Sequence, residues 1–237
     1  MSCEKAEDTL PKLETVDDVC TKMDDINFMK YCYDNFDVNK DGKVSMPEAN
    51  AVKEITDFNN SSLLKVVSYT GIEYFSSLEK IQLGAHNITT EVRTMDLRYN
   101  NRLTSISLNC ATHISSLDLR SNNELKNVNM YGCDELIAIY LPKSIESIPA
   151  SAFKGCKKIS IVDMSQCVNL KEIKGSDTFT SEVIDEFLIG ASIPPKTSEG
   201  PIKSKSIKVL IVPAESVEAY KKSEWGDYAE KIIPIGN

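Results

Sequence analysis

At 237 residues, with 41% hydrophobic and 26% charged side chains, the chain is long enough and apolar enough to bury a large core, which excludes a disordered polypeptide. The net charge of -8 sits at one end: residues 1–60 hold 14 acidic and 7 basic side chains, and the near-neutral remainder lacks the basic stripe that a nucleic-acid groove needs. No run approaches the ~18 apolar residues that span a bilayer, and no apolar signal segment follows Met1, so the chain as given reads as soluble.

Residues 1–22 are polar and acidic, with Pro11, and read as a flexible tether. From 24 to 36, Ile26, Phe28, Met29, Cys32, Tyr33 and Phe36 fall at helical spacing, and a second helix is predicted over 46–57 with Ala49, Val52 and Ile55 on one face. Between them, Asp37 to Glu48 fills the twelve positions of the EF-hand loop, which binds the hard cation Ca²⁺ through oxygens. Asp37, Asn39 and Asp41 supply side-chain oxygens at positions 1, 3 and 5. Lys43 supplies its carbonyl at position 7, Ser45 a direct or water-mediated contact at 9, and Glu48 a bidentate carboxylate at 12, with Gly42 making the sharp turn. Ser45 and Glu48 also have the spacing of a capping box, and the same oxygens cannot serve both; the metal role is the one expected of Glu48. Sensor loops come in pairs bridged at position 8, whereas Val44 has no twin in this sequence, which points to a structural ion.

From residue 95 an eleven-residue unit repeats: Leu97, Leu108, Leu119, Met130 and Leu141 recur in register, each preceded two residues earlier by Met95, Ile106, Leu117, Val128 and Ile139. The alternation inside each unit has period two, and Asn- and Gly-rich bends follow it. Such segments cannot bury their inward face alone, so they stack; two units make a 22-residue coil, within the leucine-rich-repeat range. Cys110, Cys133 and Cys156 are 23 residues apart and Cys167 lies eleven beyond, on the bend position of Asn100 and Asn122. This predicts a ladder of buried free thiols. The seven cysteines include no CxxC pair, and the two histidines stand apart from them, which disfavours zinc.

Outward positions of one strand column are Asp96 and Arg98, Asp118 and Arg120, Tyr140, then Asp163 and Ser165, with Tyr99 and Tyr131 nearby. Two accounts fit: a solvated ladder of ion pairs, or a ligand face of the kind solenoids present. Beyond an irregular stretch at 176–206, Ile207–Val212 reads as a last strand and Ser216–Trp225 as a short helix whose Val217, Tyr220 and Trp225 close the core.

Residues 141–164, with LPKSIESIPASAFKGCKKI at their heart, resemble the BspA-like leucine-rich repeat and its LPxSIxxIxxxAFxGCxxL pattern. The stretch from Ile193 through Val212-Pro213-Ala214-Glu215 to Trp225-Gly226-Asp227-Tyr228 is similar to the terminal cap of that family, whose members often begin with a single EF-hand-like segment. The resemblance spans about residues 24–237 and departs from the family's longer arrays by its few repeats. It implies a secreted or surface-anchored protein with a role in adhesion. Ser2-Cys3-Glu4-Lys5 looks like the remnant of a lipoprotein cleavage site with Cys3 as the lipidated residue, the alternative being a plain cysteine in a tail.

The expected fold is therefore an α/β repeat, a β-rich leucine-rich-repeat solenoid over 59–175. A helix–loop–helix cap at 23–58 and a strand–helix cap within 176–237 close its ends. The expected function is non-enzymatic recognition of a protein or glycan by a monomer with one Ca²⁺, on the cell surface or secreted, and without nucleic acid. Two alternatives stay open: a dockerin-like calcium-dependent assembly module, which predicts a second loop, and a carbohydrate-active enzyme, which would need catalytic groups assembled from carboxylates, His86, His113 or the cysteines.

Overall fold

The computed structural model describes residues 10–56, 62–84, 88–175, 177–198, 200, 202 and 206–236. The lipidation expected at Cys3, the candidate His86 and parts of the 176–206 stretch lie outside them.

The eleven-residue units alternate between two faces of a wound, all-parallel solenoid. One face is a sheet in the order β1 (Glu54–Thr56), β2 (Lys80–Leu83), β3 (Ser105–Leu108) and β5 (Asn127–Asn129). The other holds β4 (Ser116–Asp118), β6 (Ala138–Tyr140), β8 (Ile161–Met164), β10 (Ile184–Ile189), β12 (Ile207–Val212) and β13 (Ala229–Pro234). A third, narrow sheet joins β7 (Ser147–Ile148), β9 (Glu172–Ile173) and β11 (Lys196–Thr197). Every strand pairing among the described residues is parallel, with Ile106 opposite Val128 and Leu117 opposite Ile139, so a 22-residue step carries each inward aliphatic residue onto the one below. The inward column Leu117, Ile139, Val162, Phe187 and Leu210 is buried throughout, as the period-two pattern requires. This stacking of short parallel strands is a leucine-rich-repeat solenoid.

The bends are held by two ladders. Asn122 Nδ2 donates to the Leu97 and Asn100 carbonyls, each at 2.9 Å, and Asn100 does the same to Ile72 and Phe75 one coil earlier. Ser144 and Cys167 continue this column, their side chains donating to Leu125 O at 2.7 Å and Pro142 O at 3.2 Å. On the other side Cys133 Sγ donates to Leu108 O at 2.8 Å and Cys156 Sγ to Met130 O at 3.1 Å. Cys110 departs from the expected ladder. The buried slot belongs to Ala111, three residues after Leu108 as Cys133 is three after Met130, while Cys110 is half-exposed with φ +53°. Its counterparts one and two coils on are Gly132 at φ +75° and Gly155 at φ +88°, a left-handed column in which a Cβ on Gly132 would stand 3.0 Å from Cys110 Sγ.

Two helices, α1 (Ile26–Phe36) and α2 (Met46–Ala51), lie over the first coil. Phe28 packs on Tyr69 at 4.8 Å between ring centroids and Phe36 on Phe75 at 5.6 Å. Asp25 caps α1, accepting from Asn27 N and Phe28 N, while its second oxygen accepts from Val67 N at 2.7 Å and so ties the helix to the solenoid. The second helix is shorter than the sequence suggested. Glu54–Thr56 leaves it to form β1, with Ile55 fully buried opposite Ile81, because pairing to β2 outweighs helix propensity there. The expected tether also differs. Leu13 and Val16 pack on the core, and a 3-10 turn at Val19–Lys22 buries Val19 and Cys20, so the packed structure begins well before residue 23.

At the other end β13 follows β12, so Ile207–Val212 is the penultimate strand of its sheet. The predicted single helix is broken at Ser223 into α3 (Val217–Lys222) and α4 (Trp225–Tyr228). Ser223 Oγ donates to Tyr220 O and accepts from Trp225 N, terminating one helix and starting the next. Trp225 is buried, its indole N–H 2.8 Å from Pro195 O.

Candidate functional site

Two places collect the residues singled out by sequence. The first is the outward side of the β4–β13 sheet. Strand register puts Asp118 opposite Tyr140, Tyr140 opposite Asp163, Asp163 opposite Leu188, Leu188 opposite Ile211 and Ile211 opposite Ile233. Because successive strands are ~4.8 Å apart, these side chains form one continuous outward row. Arg98 and Arg120 each fold back on the aspartate two positions earlier. Arg120 Nε and Nη2 reach Asp118 at 3.0 and 2.6 Å, and Arg98 reaches Asp96 at 2.9 and 2.7 Å. The backbone N–H of each arginine bonds the same carboxylate, so the two coils repeat one rigid Asp-x-Arg unit. The Arg98 side chain holds the Asp96 carboxyl below its ordinary value. At Asp118 partial burial pushes the other way, and the bonds from Arg120 still leave it lowered. Arg120 also lies over the Tyr140 ring, 4.7 Å from its centroid. Asp163 is nearly buried and accepts from Ser165 N at 2.9 Å.

The same row has a second half absent from the sequence reading. Leu188, Ile211 and Ile233, with Ile161 and Val209 in the adjacent row, are partly exposed aliphatic side chains on the outer face. Their signal was present: IDEFLI and IKVLIV carry apolar residues on both faces, whereas β2 to β5 alternate. The face thus runs from charged and aromatic to aliphatic along the solenoid axis.

The second place is the Asp37–Glu48 loop. Asp37 accepts from Asp41 N and Gly42 N at 3.2 and 2.9 Å, Asn39 Oδ1 from Asp41 N at 2.9 Å, and Asp41 Oδ1 from Lys43 N at 2.9 Å. Lys40 at φ +60° and Gly42 at φ +83° supply the left-handed turns. The loop is therefore folded by its own acidic side chains, and its oxygens are the donors a hard cation takes. Glu48, expected to hold the metal at position 12, accepts four hydrogen bonds from the loop itself. One carboxylate oxygen accepts from Val38 N and Asn39 N at 2.9 and 3.3 Å; the other accepts from Ser45 N and Ser45 Oγ at 2.9 and 2.8 Å, completing the capping box of α2. Bonds from Ser45 foremost hold its pKa below the ordinary value. Among the described residues no three Asp, Glu, His or Cys side chains already stand together in metal-holding geometry. The donor chemistry of the loop oxygens fits calcium.

Of the candidates for catalysis, His113 Nε2 lies 3.1 Å from Glu91 on the solvent side. Cys133, Cys156 and Cys167 are buried with their thiols given to carbonyls. Among the described residues no helix is long and apolar enough to cross a membrane.

The class defined by this fold is the leucine-rich-repeat solenoid with an open, mixed-character sheet face. No protein-family model matches the chain, and no curated protein matches it. Solved structures that it resembles include the functional domain of InlJ from Listeria monocytogenes, which includes a cysteine ladder: identity is 14%, the TM-score 0.41, and the match covers 85% of this chain and 53% of that one. Internalin InlF of the same species shows 11% identity and a TM-score of 0.34 over 97% of this chain and 80% of that one. Internalin C2 shows 12% and 0.33 over 94% and 100%. The chain spans about half the length of the InlJ domain.

Proposed function

We propose that this chain is a non-enzymatic, extracytoplasmic binding module that presents the outward face of the β4–β13 sheet to a protein or glycan and carries one structural calcium ion in the Asp37–Glu48 loop. The observation that carries the reading is the unbroken row Asp118, Tyr140, Asp163, Leu188, Ile211 and Ile233. Solenoids bind through such faces, and a surface that offers fixed guanidinium–carboxylate units, an aromatic ring and then aliphatic side chains can meet both polar and apolar groups. The aliphatic half favours a protein partner over a glycan. A dockerin-like module fits less well, since the centre of the calcium loop is taken by the chain's own residues 18 and 19.

Protein and glycan arrays test the face. Wild-type chain, Arg98→Glu with Arg120→Glu, and Leu188→Asp with Ile211→Asp are compared; binding that survives both double variants removes the proposal. In the metal reading, Asp37, Asn39, Asp41, the Lys43 carbonyl, Ser45 and Glu48 hold the ion, and calcium raises the melting temperature in wild type but not in Asp37→Ala. No shift at millimolar calcium defeats it. Surface anchoring through a lipid on Cys3 belongs to the same reading, and the mass of the mature protein's N-terminal peptide decides it.

A further inference from the structure

We infer that Asp18 and Val19 take the place of a second calcium loop, so that docking of the N-terminal segment regulates the affinity of the Asp37–Glu48 site. This rests on the calcium reading above. Paired loops of this type steady each other through backbone bonds between their eighth positions. Here the eighth residue is Val44, which is fully buried. Its carbonyl accepts from Val19 N at 2.9 Å, and its N–H donates to Asp18 Oδ1 at 3.1 Å. A side-chain carboxylate thus replaces the carbonyl that a partner loop would offer.

Asp18 is only 9% exposed, and its two oxygens are shared among three parts of the chain. Oδ1 also accepts from Cys20 N at 3.0 Å, which closes the 3-10 turn, and Oδ2 accepts from Tyr33 Oη of α1 at 2.6 Å. Val44 stands between Lys43 and Ser45, the seventh and ninth positions. Any movement of its peptide moves both of those ligand groups, so the bonds that fix Val44 also fix two donors before the ion arrives. By linkage, an ion that orders the loop must in turn hold residues 16–23 against the fold. The sequence hid this because Asp18 sits in a polar, acidic stretch with no repeat or apolar run.

The test uses the full chain with calcium alone as the probe, followed by titration calorimetry and by amide hydrogen exchange at Val19, Cys20 and Val44. Asp18→Ala is expected to weaken calcium binding by about tenfold or more, within the ordinary range of coupling between sites. Asp18→Asn keeps an acceptor for Val44 N and restores most of the affinity. Calcium is expected to slow exchange at Val19 and Val44 in wild type but not in Asp18→Ala. Val19→Pro removes the N–H at a first-turn position that tolerates proline while keeping an apolar side chain in the buried slot of Val19, and it decides the matter if Asp18→Ala folds poorly: a severalfold loss supports the inference. Calcium bound equally by wild type, Asp18→Ala and Val19→Pro overturns this inference and leaves the calcium site standing. Absence of binding in wild type at millimolar calcium overturns both.

Discussion

The guanidinium carbon of Arg120 sits 4.7 Å from the centre of the Tyr140 ring, one coil further along the solenoid, while its nitrogens grip Asp118 directly opposite that tyrosine. Three side chains are thereby pre-set on an otherwise open surface. Exposed ion pairs and cation–π contacts each contribute about 0.5–1 kcal/mol, so the arrangement does little for folding. Arg120→Ala removes both contacts and is predicted to lower stability by no more than about 2 kcal/mol, a shift of roughly 4–8 °C for a chain of this size. A loss above about 2 kcal/mol in urea unfolding would make this unit part of the scaffold rather than of a recognition surface.

Acid sensitivity has a specific source in Asp25. Partial burial alone would raise its pKa, but N–H bonds from Val67, Asn27, Phe28 and Ser68 leave it below the ordinary value. A carboxylate lowered on folding stabilises the protein above the unfolded pKa of about 3.9, and that contribution disappears as the pH falls through the folded value. Asp25→Asn is therefore expected to be less stable than wild type near pH 6, with the gap narrowing below about pH 4 as Asp25 protonates. Urea midpoints for both proteins at several pH values measure this; a gap that stays constant with pH would sink the assignment.

Thiol reactivity separates the two kinds of cysteine on the bends. Burial and the nearby Asp163 push the Cys167 thiol up to about 12. Cys156 is likewise raised, first by its bond with Cys133 and then by burial. Protonated, enclosed thiols do not attack disulfide reagents. In a Cys3→Ser background, the half-exposed Cys110 is expected to react within minutes at pH 8, and Cys20, Cys32, Cys133, Cys156 and Cys167 only after denaturant is added. Rapid modification of Cys133 or Cys156 in the native protein, read by peptide mass, would contradict the ladder.

The solenoid was legible because eleven-residue periodicity and period-two alternation act at every coil, and no single residue decides them. Register at the bends was less so. Counting cysteines at 23-residue intervals placed Cys110 in the ladder, whereas the backbone counts from Leu108 to Ala111, and only the left-handed column of Cys110, Gly132 and Gly155 exposes the slip. Long-range pairing defeated local propensity at Ile55, which reads as helix by spacing and is a strand because β2 lies beside it. Asp18 left no trace at all, since a polar residue in a polar stretch looks the same whether it meets water or Val44. On the outer face the charged half showed through its 22-residue spacing, and the aliphatic half did not because Leu188, Ile211 and Ile233 fall beyond the regular repeats.

Trp225 offers the most direct probe of how the C-terminal end is closed. It is the only tryptophan, fully buried, and it packs on Phe187 at 5.6 Å, Tyr228 at 5.9 Å and Tyr220 at 6.3 Å between ring centroids. Its N–H and the Tyr220 hydroxyl bond the Pro195 and Ala191 carbonyls, tying the two short helices to the bend after β10. Trp225→Ala removes the large ring and leaves a cavity, with an expected cost of about 3–5 kcal/mol; Trp225→Phe keeps much of the volume and loses mainly the bond to Pro195, expected near 1–2 kcal/mol. Because coils in a solenoid contact only their neighbours, the damage should be local: amides of β12 and β13 should exchange faster, while those of β3 and β5 keep wild-type protection. Equal loss of protection at both ends would mean that the coils unfold as one unit and that this plug governs the whole stack.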